Sequence, residues 1–520
     1  MYTLRRKILW FALSSRLFLI FLQAVANNLI PDHKADAFTS PILDTNTTSY
    51  GDMLIQKTLG GFNRWDAQYF MHISQYGYTY ENTLAFFPLY PLVVRVAAEV
   101  AKVFLGNFLA YHSTLLLSAV LLNVYFFTKA ALTLHQLTLV VLGDEKLAYI
   151  SSILFCVNPA SIFFSAPYSE SVYAWLSFAG MLRCLDKTDI RFGNIAITTA
   201  VPFGLSCVAR SNGLLNIGFI LYHWTRNGVQ KMWPEVVNRY RTLKTKWVTP
   251  LLVLPFVAAS IQIIITLLVT LAVYVLVQIY NYRQFCTRTT LVLPEFLVQY
   301  AESNKFVMPG YGMPPWCDEE YPIAYSYVQS HYWNVGFMRY YKWKQIPNFL
   351  LAFPLISIIL WNTWKFIKQH SGFCLRLGIF PNKYQDITKK RPIVKPLYST
   401  EMFVYYVHAT ALVIFCLLFV HIQVTTRLVC SASPVLYWSC AYMFNSKLTD
   451  KNPTSIRTTV IGQNQRTMSF DFENLDNMYS KWKTFLITES LSGRESLIRW
   501  YFLSYFVIGT ILFSNFYPWT

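Results

Sequence analysis

Apolar runs of membrane-crossing length recur along most of the 520-residue chain, and its polar residues collect in the gaps between them. A bilayer core takes about 20 apolar helical residues to cross. Runs near 8–30, 108–128, 147–165, 169–186, 192–209, 212–224, 248–280, 347–366, 402–421, 428–444 and 499–517 are the candidates. The pattern predicts an all-α polytopic membrane protein of about eleven spans, with residues 1–520 forming one multi-pass domain. Pro250 and Pro255 interrupt the longest run.

A further run, 86–105, departs from the pattern. Arg95, Glu99 and Lys102 recur at i, i+4 and i+7, one charged stripe of an amphipathic helix, and such a helix lies in the interface more readily than it crosses. Charge decides the parity. With 86–105 flat, Arg183, Lys187 and Arg191 share the cytosolic side with the basic start Arg5-Arg6-Lys7, as positive-inside requires. The loop holding Arg226, Lys231, Arg239, Arg241, Lys244 and Lys246 and the run Lys389-Lys390-Arg391 fall there too. The apolar run after Arg5-Arg6-Lys7 is long enough to stay as a signal anchor. Residues 31–107 then form a first lumenal loop and 281–346 a large lumenal one, while 445–498 is a polar cytosolic segment with little periodicity. The carboxyl end falls in the lumen, and no internal repeat is evident. The sequon Asn46-Thr47-Thr48 lies in the first lumenal loop, making Asn46 a candidate glycosylation site.

Composition narrows the class. The chain is 54% hydrophobic and 13% charged, with a mean hydropathy of +0.33, which excludes an ordinary soluble domain. A net charge of +18 would suggest nucleic acid in a soluble chain, but here the basic residues sit in loops as topology signals, so the partner is the membrane. Nine cysteines without a CxxC pair argue against zinc. Cys286 and Cys317 share what would be an oxidising compartment, where a disulfide is open to them; spacing does not fix the pairing.

The chemistry-bearing residues cluster at lumenal ends. The first loop carries Asn63-Arg64-Trp65-Asp66, then Glu81 and Phe86-Phe87-Pro88. Locally it reads as a helix capped by Asn63, with Trp65, Tyr69, Phe70 and Ile73 as its apolar stripe and Gly77 as its stop. Asp66 then takes the third helical position, where a carboxylate often completes a cap. Glu170 stands at a turn containing Pro159 and Pro167, and Arg210-Ser211-Asn212-Gly213 makes the next lumenal turn. His331, Trp333 and Asn334 precede the eighth span, and His421, Gln423 and Arg427 mark the corner after the ninth. Taken singly, each has a plainer reading as a helix breaker, an interfacial anchor or a snorkelling cation. Their joint placement carries more weight, because ionisable groups at membrane depth are costly.

The strings Arg64-Trp65-Asp66-Ala67, Ala85-Phe86-Phe87-Pro88, Phe164-Ser165-Ala166-Pro167-Tyr168-Ser169-Glu170, Arg210-Ser211-Asn212-Gly213, Tyr332-Trp333-Asn334-Val335-Gly336-Phe337 and Gln423-Val424-Thr425-Thr426-Arg427 resemble the family of mannosyltransferases that build glycosylphosphatidylinositol (GPI) anchors in the endoplasmic reticulum. The likeness runs from the first span to the terminal Phe516-Tyr517-Pro518-Trp519-Thr520; only 445–498 aligns to no family string. It implies a GT-C bundle with a lumenal active site, dolichyl-phosphate mannose as donor, a mannosylated glucosaminyl-phosphatidylinositol lipid as acceptor and an α-1,6 product.

Such a transfer needs a base, a cationic cradle for the leaving phosphate and exclusion of water. The resemblance makes Asp66 the base, with Glu170 second and Glu81 third. Arg64, Arg210 and Arg427 are the phosphate candidates, with His331 and His421 behind them. Trp65, Phe86, Phe87, Tyr332 and Trp333 suit a sugar and prenyl path, and Asn212, Asn334 and Gln423 complete the binding set. No metal triad or other cofactor is expected, and the sequence leaves open whether an accessory subunit is required. A transporter or scramblase would also have many spans, but more often shows paired halves with broken midplane helices. A mannosyltransferase with another lumenal acceptor differs only in the family strings.

Overall fold

The computed structural model describes residues 2–42, 49–185, 194–232, 249–287, 292–380, 396–449 and 493–519, with positions 234, 237 and 238. Asn46, Lys187, Arg191, the basic runs near 239–246 and 389–391, and 450–492 lie outside the described residues. Among those described, all regular structure is helical.

Nine elements in the first half define the frame: α1 (Tyr2–Leu29), α2 (Tyr50–Leu59), α3 (Asp66–Tyr76), α4 (Leu89–Leu105), α5 (Tyr111–Leu142), α6 (Glu145–Cys156), α7 (Glu170–Cys184), α8 (Asn194–Ala209) and α9 (Ile217–Asn227). Local chemistry explains several boundaries. Ser49 and Asp52 form a reciprocal capping box on α2. The second Asp52 oxygen accepts the Ala110 N–H at 2.9 Å, fastening α2 to the start of α5. Gly143, in the left-handed region at φ 65°, ends α5, and Asp144 at once caps α6 through the Leu147 N–H.

Six described helices are long and apolar enough to cross a membrane: Leu4–Leu29, Tyr111–Leu142, Ser260–Cys286, Trp343–Gln369, Thr400–Phe419 and Glu495–Ser514. The expected count of about eleven is not reached by length. The 147–165 run yields α6 of 12 residues, and 212–224 yields α9 of 11. The 428–444 run divides between the helices Thr425–Ala432 and Val435–Thr449, of 8 and 15 residues. At 1.5 Å per residue these fall well short of the ~30 Å hydrocarbon layer. The longest run behaves in the opposite way: Thr249–Cys286 is one 38-residue helix despite its prolines. Pro250 falls in its first turn, where no N–H partner is needed.

Side-chain chemistry accounts for the shortened α6. Arg16, a fully buried residue of α1, donates to the Cys156 carbonyl at 2.8 Å and the Ser161 carbonyl at 2.9 Å. Its guanidinium lies 3.9 Å from the Phe127 ring centre. It thereby satisfies the carbonyl end of α6, and the chain turns inside the protein between Val157 and Ser169. Asn123 of α5 holds the far side of that turn, donating to the Ala166 carbonyl and, at 3.1 Å, to the Tyr168 carbonyl.

The long helix α5 is the centre of the bundle, packing on α4, α6, α7 and α1. Its apolar window is 61% buried, against 17% for Ser260–Cys286, which therefore lies at the periphery with most of its apolar surface outward. Tertiary contacts sort the connections into two ends. At one end the His33 N–H bonds the Asn515 carbonyl at 2.8 Å, so α1 and Gly493–Ser514 finish together. At the other, Arg226 grips both oxygens of Glu401 at 2.9 and 3.1 Å, just before the helix Phe403–Phe419 begins. The helix α4 is three-sided: Val94 and Ala98 are buried, Arg95, Glu99 and Lys102 form an exposed charged stripe, and Leu92, Val96, Val100 and Val103 an exposed apolar one.

Between the helix Thr249–Cys286 and the eighth expected span, the described part of the 281–346 stretch folds against the first loop, where Tyr80 and Glu81 bond to Leu297, Trp316 and Tyr332. A disulfide joins Cys286, the last residue of Thr249–Cys286, to Cys317 in the turn Pro315–Asp318. The helix Ala324–Trp333 follows, and the chain beyond it docks on the last turn of the helix Phe403–Phe419, where the Gly336 N–H bonds the Phe419 carbonyl at 3.2 Å and the Met338 N–H the Leu418 carbonyl at 2.7 Å.

Candidate active site

The helix α3 begins at Asp66, not at Asn63. Trp65 occupies the cap position with φ 55°, a left-handed conformation that costs a non-glycine residue of order 1–3 kcal/mol. Asn63 instead offers its carbonyl to the Gln68 side chain at 2.7 Å. Asp66 is thus the first helical residue, with its carboxylate at the positive end of the helix dipole. Its own N–H is taken by the buried Tyr168 hydroxyl at 3.0 Å, so the internal turn fixes the start of α3 directly.

Asp66 Oδ2 accepts from Arg427 Nη1 at 2.7 Å, and the same nitrogen lies 4.0 Å from Glu170 Oε1. Arg210 Nη1 pairs with that Glu170 oxygen. The order is therefore Asp66, Arg427, Glu170, Arg210, alternating in sign. Exposure differs along it: the Asp66 side chain is 31% exposed and that of Glu170 fully buried, with the arginines at 15% and 14%. Arg427 is braced by the faces of Phe163 at 5.5 Å and Tyr168 at 5.6 Å. Burial disfavours its charge, but Asp66 and then Glu170 outweigh that and hold its pKa above the ordinary arginine value. Asp66 Oδ1 has no protein partner among the described residues.

Asp66, Arg427 and Arg210 line one cavity of about 670 Å³, within the range of small-ligand sites. Of the residues singled out in the sequence, Trp65, Asp66, Phe86, Phe87, Arg210, Asn212, Trp333, His421, Gln423 and Arg427 all line it. The turn of Arg210 is pressed onto α8: a side chain at Gly213 would collide with the Ser206 backbone, which is why glycine stands there. Asn212 Oδ1 accepts from Arg210 Nε at 3.4 Å, while its Nδ2, the Trp65 indole N–H and Arg427 Nε are donors without a protein partner among the described residues. His421 Nε2 meets the Trp333 carbonyl at 2.8 Å and stacks on Tyr340, whose hydroxyl bonds Gln423 at 3.0 Å. Burial keeps His421 below the ordinary histidine pKa.

Six of the singled-out residues stand outside the cavity lining, Tyr332 among them through its bond to Glu81. Glu170 is behind it, reaching it through the two arginines. Arg64 turns away to Asp32 at 2.9 Å, Asn27 at 3.0 Å and the Ser514 carbonyl at 3.2 Å, tying the loop to the carboxyl-terminal helix. Glu81 is buried and accepts from the Trp316 indole at 2.8 Å and the Tyr332 hydroxyl at 2.7 Å. His331 is exposed and stacks on Tyr327, and Asn334 is the exposed left-handed residue ending Ala324–Trp333. Conversely, Asp36, Tyr69, Ser211, Tyr274 and Tyr325 line the cavity without having been singled out for it. The Ser211 and Tyr325 hydroxyls meet at 2.8 Å and close the gap between the Arg210 turn and Ala324–Trp333. No three His, Cys, Asp or Glu side chains gather as a ligand set among the described residues.

An accessible carboxylate beside two arginines, walled by aromatic rings and set among helices able to cross a membrane, defines a membrane-embedded site for a polar group with an anionic portion. Residues 5–520 match the family model described as Mannosyltransferase (PIG-V), and the chain belongs to that family. Its relatives include the GPI alpha-1,6-mannosyltransferase 2 of Cricetulus griseus, 36% identical over 519 residues and covered to 99% in both chains. The GPI mannosyltransferase 2 of Drosophila melanogaster is 36% identical over 517 residues, again with 99% of each chain covered. The Homo sapiens GPI alpha-1,6-mannosyltransferase 2 is 34% identical over 523 residues, with 99% of each covered. Among solved structures, the apo Archaeoglobus fulgidus oligosaccharyltransferase aligns at a TM-score of 0.41 and 13% identity, over 98% of this chain and 56% of that one, too remote to inform the site.

Proposed function

We propose that this mannosyltransferase moves the second mannose, in α-1,6 linkage, from dolichyl-phosphate mannose to a GPI precursor that already carries one, on the lumenal side of the endoplasmic-reticulum membrane. The substrate assignment follows the names of its full-length relatives. The observation that carries the chemistry is the half-buried Asp66 carboxylate, anchored through one oxygen by Arg427 while the other is left open in the cavity.

In this reading Asp66 Oδ1 takes the proton of the acceptor's 6-hydroxyl as that oxygen attacks the anomeric carbon of the donor. The bond from the anomeric carbon to the phosphate oxygen breaks, its electron pair leaves on dolichyl phosphate, and a β-linked donor gives an α-product by inversion. Arg427 and Arg210 receive the phosphate charge, for which their planar, always-protonated guanidinium groups are suited. Glu170 acts through them as a positioning residue. The lumenal placement is supported by the disulfide, which needs an oxidising compartment, and the three-sided surface of α4 supports its reading as an interfacial helix.

Lipid extracts of cells lacking the protein test the assignment. A one-mannose anchor intermediate should accumulate, and microsomes given the chain back should convert it with labelled dolichyl-phosphate mannose. Simultaneous starvation of several mannosylation pathways would point instead to a scramblase, and accumulation of a non-GPI lipid or protein acceptor to a different transferase.

A further inference from the structure

One cavity-lining carboxylate is used by neither the ion-pair chain nor any structural contact. Asp36 is exposed, lines the cavity, and has no cation or hydrogen-bond donor paired with it among the described residues. The adjoining wall is aromatic. Phe38 stacks on Tyr69 with centres 4.2 Å apart, and Tyr69 stacks in turn on Phe86 at 4.5 Å. Trp333 meets both Tyr69 and Phe86 edge-on at 6.0 Å. All four rings line the same cavity as Asp36.

The charges deeper in the site balance, two arginines against Asp66 and Glu170. Asp36 therefore leaves this wall with an uncompensated negative charge. Ring faces attract a cation, and a carboxylate beside them can accept its N–H bonds. Ring faces also suit the apolar face of a pyranose. A sugar bearing a protonated primary amine uses both features at once. Position agrees: Tyr69 follows Asp66 by three residues of α3, a rise of about 4.5 Å, so the wall stands close to the proposed base, on the scale of a neighbouring sugar unit.

We propose that Asp36, with the wall of Phe38, Tyr69, Phe86 and Trp333, binds a protonated primary amine on the acceptor glycan and so selects amino-sugar acceptors over their N-acetylated counterparts. This deepens the proposed function, on which it rests, because the glucosamine of that acceptor carries such an amine and acetylation would remove both the charge and two of its donors.

The test uses the full-length chain in microsomes with labelled dolichyl-phosphate mannose and two one-mannose acceptors, one with a free glucosamine amine and one N-acetylated. Wild type should favour the free amine by about tenfold or more in kcat/KM, the scale of one charge-assisted hydrogen bond. Asp36→Asn should raise KM for the amine acceptor about tenfold, with little change in kcat and little change toward the acetylated acceptor, and Asp36→Glu should recover part of the preference. Equal use of both acceptors by wild type overturns the assignment, as does an Asp36→Asn variant that loses both alike. Transfer to neither acceptor by wild type overturns the proposed function itself and this inference with it.

Discussion

Asp66 and Glu81 are carboxylates of one loop, and the fold gives them opposite surroundings. Asp66 is 31% exposed in a cavity, held by a cation through one oxygen, with the other open. Glu81 has both oxygens occupied by neutral donors, Trp316 and Tyr332, and is closed off from solvent. The first can exchange a proton with a bound molecule. The second clasps the first loop to the disulfide-linked stretch and to Ala324–Trp333, the helix that brings Trp333 to the cavity. Residue type is the same; what separates chemistry from architecture is the unsatisfied oxygen and access to it.

Replacing Asp66 tests that contrast most severely. Asp66→Asn preserves shape and should fold and localise, yet lower the transfer rate by about 10²–10⁴-fold, the usual worth of a positioned acid or base. Retained turnover in a microsomal assay would move the base elsewhere and erase the distinction drawn here. The link between Glu170 and Arg210 comes next. Either Glu170→Leu or Arg210→Met alone leaves a buried charge short of its partner, a loss of about 3–5 kcal/mol, read as reduced protein level and thermal stability in detergent. The double variant should recover a large part of that stability while staying slow in transfer. Additive losses would show that the two residues are not coupled as their contact suggests. Smallest is Glu81→Gln, expected to cost about 1–3 kcal/mol of stability with kcat and KM within about twofold. A kcat collapse in a stable Glu81→Gln protein would place Glu81 in the chemistry and break the comparison from the other side.

How legible each part was depends on the range of the forces that set it. The run of apolar segments announced a membrane bundle because a bilayer imposes its length requirement on every span separately. The stop at Gly77 was readable for the same kind of reason, since the backbone there adopts φ 79°. Asn63 was misread as a cap because Trp65 is driven into an unfavourable conformation by contacts far along the chain, the Tyr168 hydroxyl among them. Six described helices reach crossing length against the expected count of about eleven spans, and one reason is that hydropathy registers a buried turn as apolar: Phe163, Phe164 and Ala166 read as span, and only Arg16 shows why the chain can turn there. Asp36 gave no signal, standing in an irregular segment whose place on the cavity wall is fixed through the rings beside it.

The sequence by itself determined that the chain is a membrane-spanning helical protein, that its polar chemistry gathers in particular connections, and, through family strings spread along its length, what kind of transfer it performs. Tertiary structure decided which of several carboxylates and arginines meet. Asp66 and Arg427 come within 2.7 Å although they stand 361 positions apart, and Arg64, next but one to Asp66, turns to another partner altogether. Local pattern fixes helices because their hydrogen bonds close within four residues. Pairing of buried charges depends on which distant segments fold against one another to replace water.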